Sequence, residues 1–171
     1  MKCGFFAALL CISIAHADTD PLLSKMEGKW HGHGIRTYAI SERQITVDAD
    51  VETSDIQVGG QLALLSQNRI TESAPNTPSR TYMTIYWVRP AQGRPGSYEL
   101  GAQNSIQPSS SGSLDSDGIF RVEQDLGGGN PPFMVKSETQ FLPEHTIYSD
   151  TFSNGTAVQS QTRIDYQRTT P

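Results

Sequence analysis

The chain has 171 residues, 36% of them hydrophobic, with 13 basic against 18 acidic side chains and a formal net charge of −5. That balance leaves no footprint for nucleic acid or an anionic lipid surface, both of which call for basic patches. Its only cysteines are Cys3 and Cys11, both close to the start.

Residues 1–17 differ in kind from the rest. Lys2 gives a charged start, Phe5 to Ile14 an apolar core, and Ala15-His16-Ala17 a small-x-small cleavage site. This is the pattern of a signal peptide, and its apolar run is too short to span a bilayer. Lipidation at Cys11 lacks the small preceding residue it requires, because Leu10 stands there. Cleavage after Ala17 removes both cysteines and Lys2, leaving 154 residues with a charge of −6. An exported domain without disulfides depends on its core. The length suits one domain over 18–171, with no later membrane span. A cysteine-free mature chain points to a bacterial periplasm or the medium, and Asn154-Gly155-Thr156 is read as a turn rather than a glycosylation site.

The next stretch predicts a short helix. Asp18 to Asp20 offer an N-cap, Pro21 fits the first helical position, and Leu22, Leu23 and Met26 fall on one face before Gly28 stops the helix. So short a helix needs docking onto something larger. From Lys29 the periodicity changes to two, and strands are predicted at 29–40, 43–54, 60–73, 80–89, 96–106, 110–115, 118–126, 132–142, 145–153 and 157–168. Gly59-Gly60, Asp115 to Gly118, Pro143-Glu144 and Asn154-Gly155 carry turn chemistry between them. Longer loops are expected at 73–79, which holds Pro75 and Pro78, at 90–95, and at 127–132. About ten antiparallel strands leave a closed barrel or a sandwich. Short sequential connections favour an all-β, up-and-down antiparallel barrel with a short N-terminal helix, which also removes sheet edges.

Gly28-Lys29-Trp30, after a short helix and before a run of strands, resembles the G-x-W signature of the calycins, which include lipocalins and fatty-acid-binding proteins. The longer run from Leu23 to Gly34 is similar to the opening of nitrobindin-type and other small bacterial lipocalin-like domains. The resemblance implies that Trp30 packs across one barrel end with a basic residue of the last strand over it. Arg168 is the first match and Arg163 the second.

His31 and His33 share a strand face and form the sharpest local candidate for a metal, with His145 as a third ligand. If Trp30 points inward, Gly32 and Gly34 do too, and both histidines face solvent. Haem ligation, implied by the nitrobindin resemblance, would fall to His145, which sits beside Pro143-Glu144 in a turn and suits it poorly. Neither cofactor is expected. No G-x-S-x-G elbow, HExxH, P-loop or dinucleotide fingerprint is present. Asp48, Asp50 and Glu52 share one strand face and read as solvated, with Asp55 beyond them.

Tyr82, Tyr86, Trp87, Phe120, Phe133, Phe141 and Tyr148 supply enough aromatic surface to line a lumen. The expectation is a barrel that binds a small apolar or amphiphilic ligand, entering from the end opposite Trp30. The alternatives are an enzyme on the same scaffold, and an envelope or protein-interaction module with a filled barrel.

Overall fold

The computed structural model describes residues 20–169. The expected signal peptide lies outside them. One helix, α1 (Leu23–Met26), precedes ten strands: β1 (Lys29–Tyr38), β2 (Gln44–Val58), β3 (Gln61–Ala74), β4 (Thr77–Pro90), β5 (Ser97–Ala102), β6 (Ser110–Leu114), β7 (Ile119–Gly127), β8 (Phe133–Phe141), β9 (His145–Asn154) and β10 (Ala157–Arg168). Each strand pairs antiparallel with its sequence neighbour, and β1 pairs with β10, so the sheet is a closed barrel rather than a sandwich. No helix among the described residues is long and apolar enough to cross a membrane.

Period two decides which side chains enter the barrel. Trp30, Gly32, Gly34 and Arg36 share the inner face of β1, with Arg168, Tyr166, Ile164 and Thr162 opposite them on β10. The two glycines let these strands meet closely. A Cβ at Gly34 would lie 2.0 Å from the carbonyl oxygen of Arg163.

The helix closes one end. Asp20 accepts hydrogen bonds from the N–H groups of Leu22 and Leu23 at 2.9 and 3.0 Å, which holds the first turn. Leu22 and Leu23 are fully buried against Leu64, Val88, Tyr98 and Phe120, and a leucine so buried contributes about 1.5–3 kcal/mol. The Tyr98 hydroxyl donates to the same Asp20 carboxylate at 3.1 Å, tying α1 to β5. Burial, followed by the Asp20 charge, pushes the Tyr98 phenol well above its ordinary range.

Two connections differ from those expected. The segment 73–79 is not a long loop: β3 and β4 continue to Ala74 and Thr77, and only Pro75 and Asn76 turn, with Asn76 at φ 59°. Pro78 is accommodated because the ladder shifts register between Glu72 and Ala74. Conversely, β5 stops at Ala102, and 103–109 folds over the outer wall instead of extending the strand.

The wall is uneven in height. β5 pairs with β4 only from Tyr86 to Pro90, and β6 with β7 only from Phe120 to Glu123. Above the short β5–β6 hairpin, residues 77–85 of β4 pair with β3 alone and residues 124–127 of β7 with β8 alone. A notch therefore opens in the side of the barrel at the end away from α1.

Candidate functional site

The lumen holds a cavity of about 550 Å³. Register builds its wall in layers. Arg36 stands opposite Thr162, Thr162 opposite Asp150, and Asp150 opposite Ser137. One step toward α1 come Gly34, Ile164, Tyr148, Thr139 and Phe120, and below them Gly32, Tyr166, Thr146 and Phe141. On the other side, Ile70 faces Tyr82, Asn68 faces Thr84, and Ser66 faces Tyr86. Phe120 and Phe141 thus lie toward the helix with Tyr148 and Tyr166 in their layers, and the charged Arg36 and Asp150 lie above.

Arg36 donates through Nε to Thr162 Oγ1 at 2.9 Å and through a terminal nitrogen to Glu72. The Tyr82 hydroxyl donates to the same Glu72 carboxylate at 3.0 Å. The Arg36 and Glu72 side chains are 22% and 13% exposed, so the ion pair is largely desolvated. Burial opposes the guanidinium charge, but Tyr82, Glu72 and Asp150 outweigh it and Arg36 is held above its ordinary range. Glu72 also lines a second cavity of about 290 Å³ with Tyr38, Arg43 and Arg80, so the Arg36–Glu72 pair stands between this vestibule and the lumen.

Asp150 lies deeper. Burial raises its carboxyl above the usual carboxylate range, although hydrogen bonds from Thr162 and Tyr148 and the charge of Arg36 pull the other way. The Tyr148 phenol is itself pushed up, first by burial and then by Asp150, with Tyr86 and Tyr166 adding to it. Tyr166 responds in the same way to burial, Tyr86, Asp150 and Tyr82. Four tyrosines and one carboxylate therefore converge on one region of the lumen.

Of the aromatic residues singled out in the sequence, Tyr82, Tyr86, Phe120, Phe141 and Tyr148 line the cavity. Phe133 does not. It stacks on Phe152 at a centroid distance of 5.5 Å, close to Gly128 and Gly129 of the 127–132 loop. Trp87 is placed wrongly by that expectation: it occupies the outer face, buried with Val58 and Ala63. Its indole N–H donates to the Ser105 carbonyl at 2.7 Å, beneath the 103–109 loop, with Arg89 4.9 Å from the ring. Val88 takes the inward position beside it, packed against Leu64 and Tyr98.

Gly28, Trp30 and Arg168 come together at the helix end. The Arg168 guanidinium lies 4.6 Å from the Trp30 ring, and the Trp30 indole donates to the Met26 carbonyl at 3.1 Å. A Cβ on Gly28, at φ +115°, would be 3.9 Å from that guanidinium. Arg163, opposite Ile35, faces outward.

His31 and His33 point away from the lumen, pairing with Asp50 at 2.8 Å and Asp48 at 2.7 Å. Lys29–Glu52 extends the same exposed ladder. His145 opens β9, with Nε2 3.9 Å from Asp165, rather than lying in the turn. Among the described residues no group of three or more His, Cys, Asp or Glu side chains is placed to hold a metal ion.

Arg36, Glu72, Asp150, Thr162 and Tyr166 carry the chemistry of the lumen and were not singled out in the sequence. Parity held the signal for three of them: fixing Trp30 inward also fixes Arg36 inward, and Arg168 likewise fixes Thr162 and Tyr166.

No protein-family model matches the chain, and no curated protein matches it in sequence. Among solved structures, it is similar to the S-type phycobiliprotein lyase CPES from Guillardia theta, with TM-score 0.62 and 10% identity over 86% of this chain and 90% of that one. At that identity the likeness is one of fold, and the fold is a lipocalin-like ten-stranded barrel.

Proposed function

We propose that this chain is an exported lipocalin-like barrel that holds a small amphiphilic molecule in its lumen. The observation that carries the reading is the cavity of about 550 Å³, inside the range of about 300–1,000 Å³ common for small-molecule sites. Its wall is amphipathic, with Phe120, Phe141 and Ile164 near the helix and Arg36, Asp150 and Thr162 above. A wholly apolar guest would leave those polar groups facing hydrocarbon, a cost that a guest with its own polar head avoids. The signal-peptide pattern of residues 1–17 supports export.

Native mass spectrometry of the secreted protein tests both parts. The expected result is a chain beginning at Asp18 that carries a non-covalent adduct, lost when Thr139→Trp fills the lumen. An uncleaved chain refutes export. A bare chain that also fails to take up amphiphiles refutes ligand binding.

A further inference from the structure

Arg36 is matched by Glu72 in a largely desolvated pair, so its charge is already answered. Asp150 lines the lumen opposite Thr162 and on the same strand face as Tyr148, makes no ion pair among the described residues, and feels Arg36 at longer range. The groups facing this part of the lumen are Arg36 of β1, Tyr148 of β9, Tyr166 of β10, and Tyr82 and Tyr86 of β4, with Glu72 beyond Arg36. Their charges sum to one surplus negative charge when Asp150 is ionised. A carboxylate amid tyrosine rings suits an organic cation: the carboxylate supplies charge and hydrogen-bond acceptance, and the rings offer their negative faces. The chain's formal charge of −5 also favours approach of cations.

Resting on the reading that the lumen binds a small amphiphile, we propose that its ligand carries a protonated amine, seated against Asp150 and the tyrosines, with its apolar part directed toward Phe120 and Phe141. An anionic head is disfavoured because Asp150 repels it and Arg36 would first have to part from Glu72.

Decylamine, decanol and decanoate share one tail and differ in the head. Titration calorimetry with the full secreted chain is expected to show decylamine binding about tenfold more tightly than decanol, with decanoate weakest, as befits a hydrogen-bonded charge pair partly offset by desolvation. Asp150→Asn keeps the hydrogen-bonding shape and is expected to bring decylamine within about twofold of decanol. A melting curve shows whether that variant folds. If it does not, the natural protein decides alone: the advantage of decylamine is expected to shrink on acidification as Asp150 takes up a proton, while the amine stays charged.

Equal binding of decylamine and decanol, tightest binding of decanoate, or an amine preference that survives Asp150→Asn overturns the proposal while leaving lumen binding in place. Failure of all three to bind overturns the proposal together with the reading beneath it.

Discussion

A Cβ added at Gly34 meets the main chain of β10, 2.0 Å from the Arg163 carbonyl oxygen and 2.7 Å from Ile164 Cα. One added at Gly32 meets the Tyr166 ring at 2.5 Å and Ile164 Cγ2 at 2.7 Å, side-chain atoms beside the cavity that have room to move. Gly34→Ala is expected to cost about 3 kcal/mol and Gly32→Ala about 1 kcal/mol, the upper and lower ends of overpacking. Urea midpoints compare them directly, and equal losses would contradict the distinction between backbone and side-chain obstruction. Asp150 makes a second residue-scale case. Its carboxyl is raised above its ordinary value of 3.8 by burial, so the folded chain binds that proton more tightly than the unfolded chain does. Stability from this group is then lost as pH rises from the ordinary value through the raised one. Asp150→Asn cannot ionise, so its stability relative to the natural protein is expected to improve between about pH 4.5 and about pH 7.5. Urea unfolding at the two pH values reads the change, and a shift in the opposite direction would contradict the burial argument.

At the scale of elements, α1 has only four residues and depends on its attachments. Asp20 supplies three of them, to Leu22 N–H, Leu23 N–H and the Tyr98 hydroxyl. Asp20→Ala is expected to lower stability by about 1–3 kcal/mol through lost capping and a stranded phenol. Tyr98→Phe removes only the last bond and should cost about 1 kcal/mol. Trp30 is half-buried and carries the bond to Met26, so Trp30→Ala should cost about 2–3 kcal/mol. Arg168 is exposed, and its removal should cost about 0.5–1 kcal/mol. Thermal unfolding ranks all four, and a larger loss at Arg168 than at Trp30 would refute the assignment of roles. The sequence made the helix and strands legible because each carries its own period and each turn its own residue types. Hairpin 73–79 was misread because its prolines suggested a loop, whereas Pro78 rests at a register shift. Trp87 was misread for a different reason. On β4 the apolar residues Met83, Ile85 and Trp87 alternate with Tyr82, Thr84 and Tyr86, and both sets offer aromatic side chains. Only the register, which places Tyr82 and Tyr86 beside the inward Ile70 and Ser66, shows which set enters the lumen. A polar lumen blurs hydrophobic alternation where the site lies, and that is why Asp150 and Glu72 stayed hidden.

For the whole molecule, topology separates local from distant work. Nine of the ten pairings join consecutive strands, whereas β1 and β10 join the two ends of the chain, with Arg36 bonding Thr162 across 126 residues. The entropy of closing so large a ring is lost before the seam contributes any contacts, so the seam is expected to form late in folding. Hairpins such as β2–β3, paired from Thr46 with Ser73 to Val58 with Gln61, can form with little chain closure. Val58, buried with Ala63 and Trp87, reports on that local region, and Ile164, buried with Val47 and Ala49, reports on the seam. Val58→Ala and Ile164→Val should each destabilise by about 1 kcal/mol, enough to measure how the loss divides between rates. For Val58→Ala the loss should appear mainly as folding slowed by up to about fivefold, and for Ile164→Val mainly as unfolding accelerated by a similar factor. Stopped-flow folding and unfolding rates over a range of urea separate the two. If both substitutions slowed folding equally, closure of the β1–β10 seam would already be present at the barrier alongside the β2–β3 hairpin, and the seam would not be late.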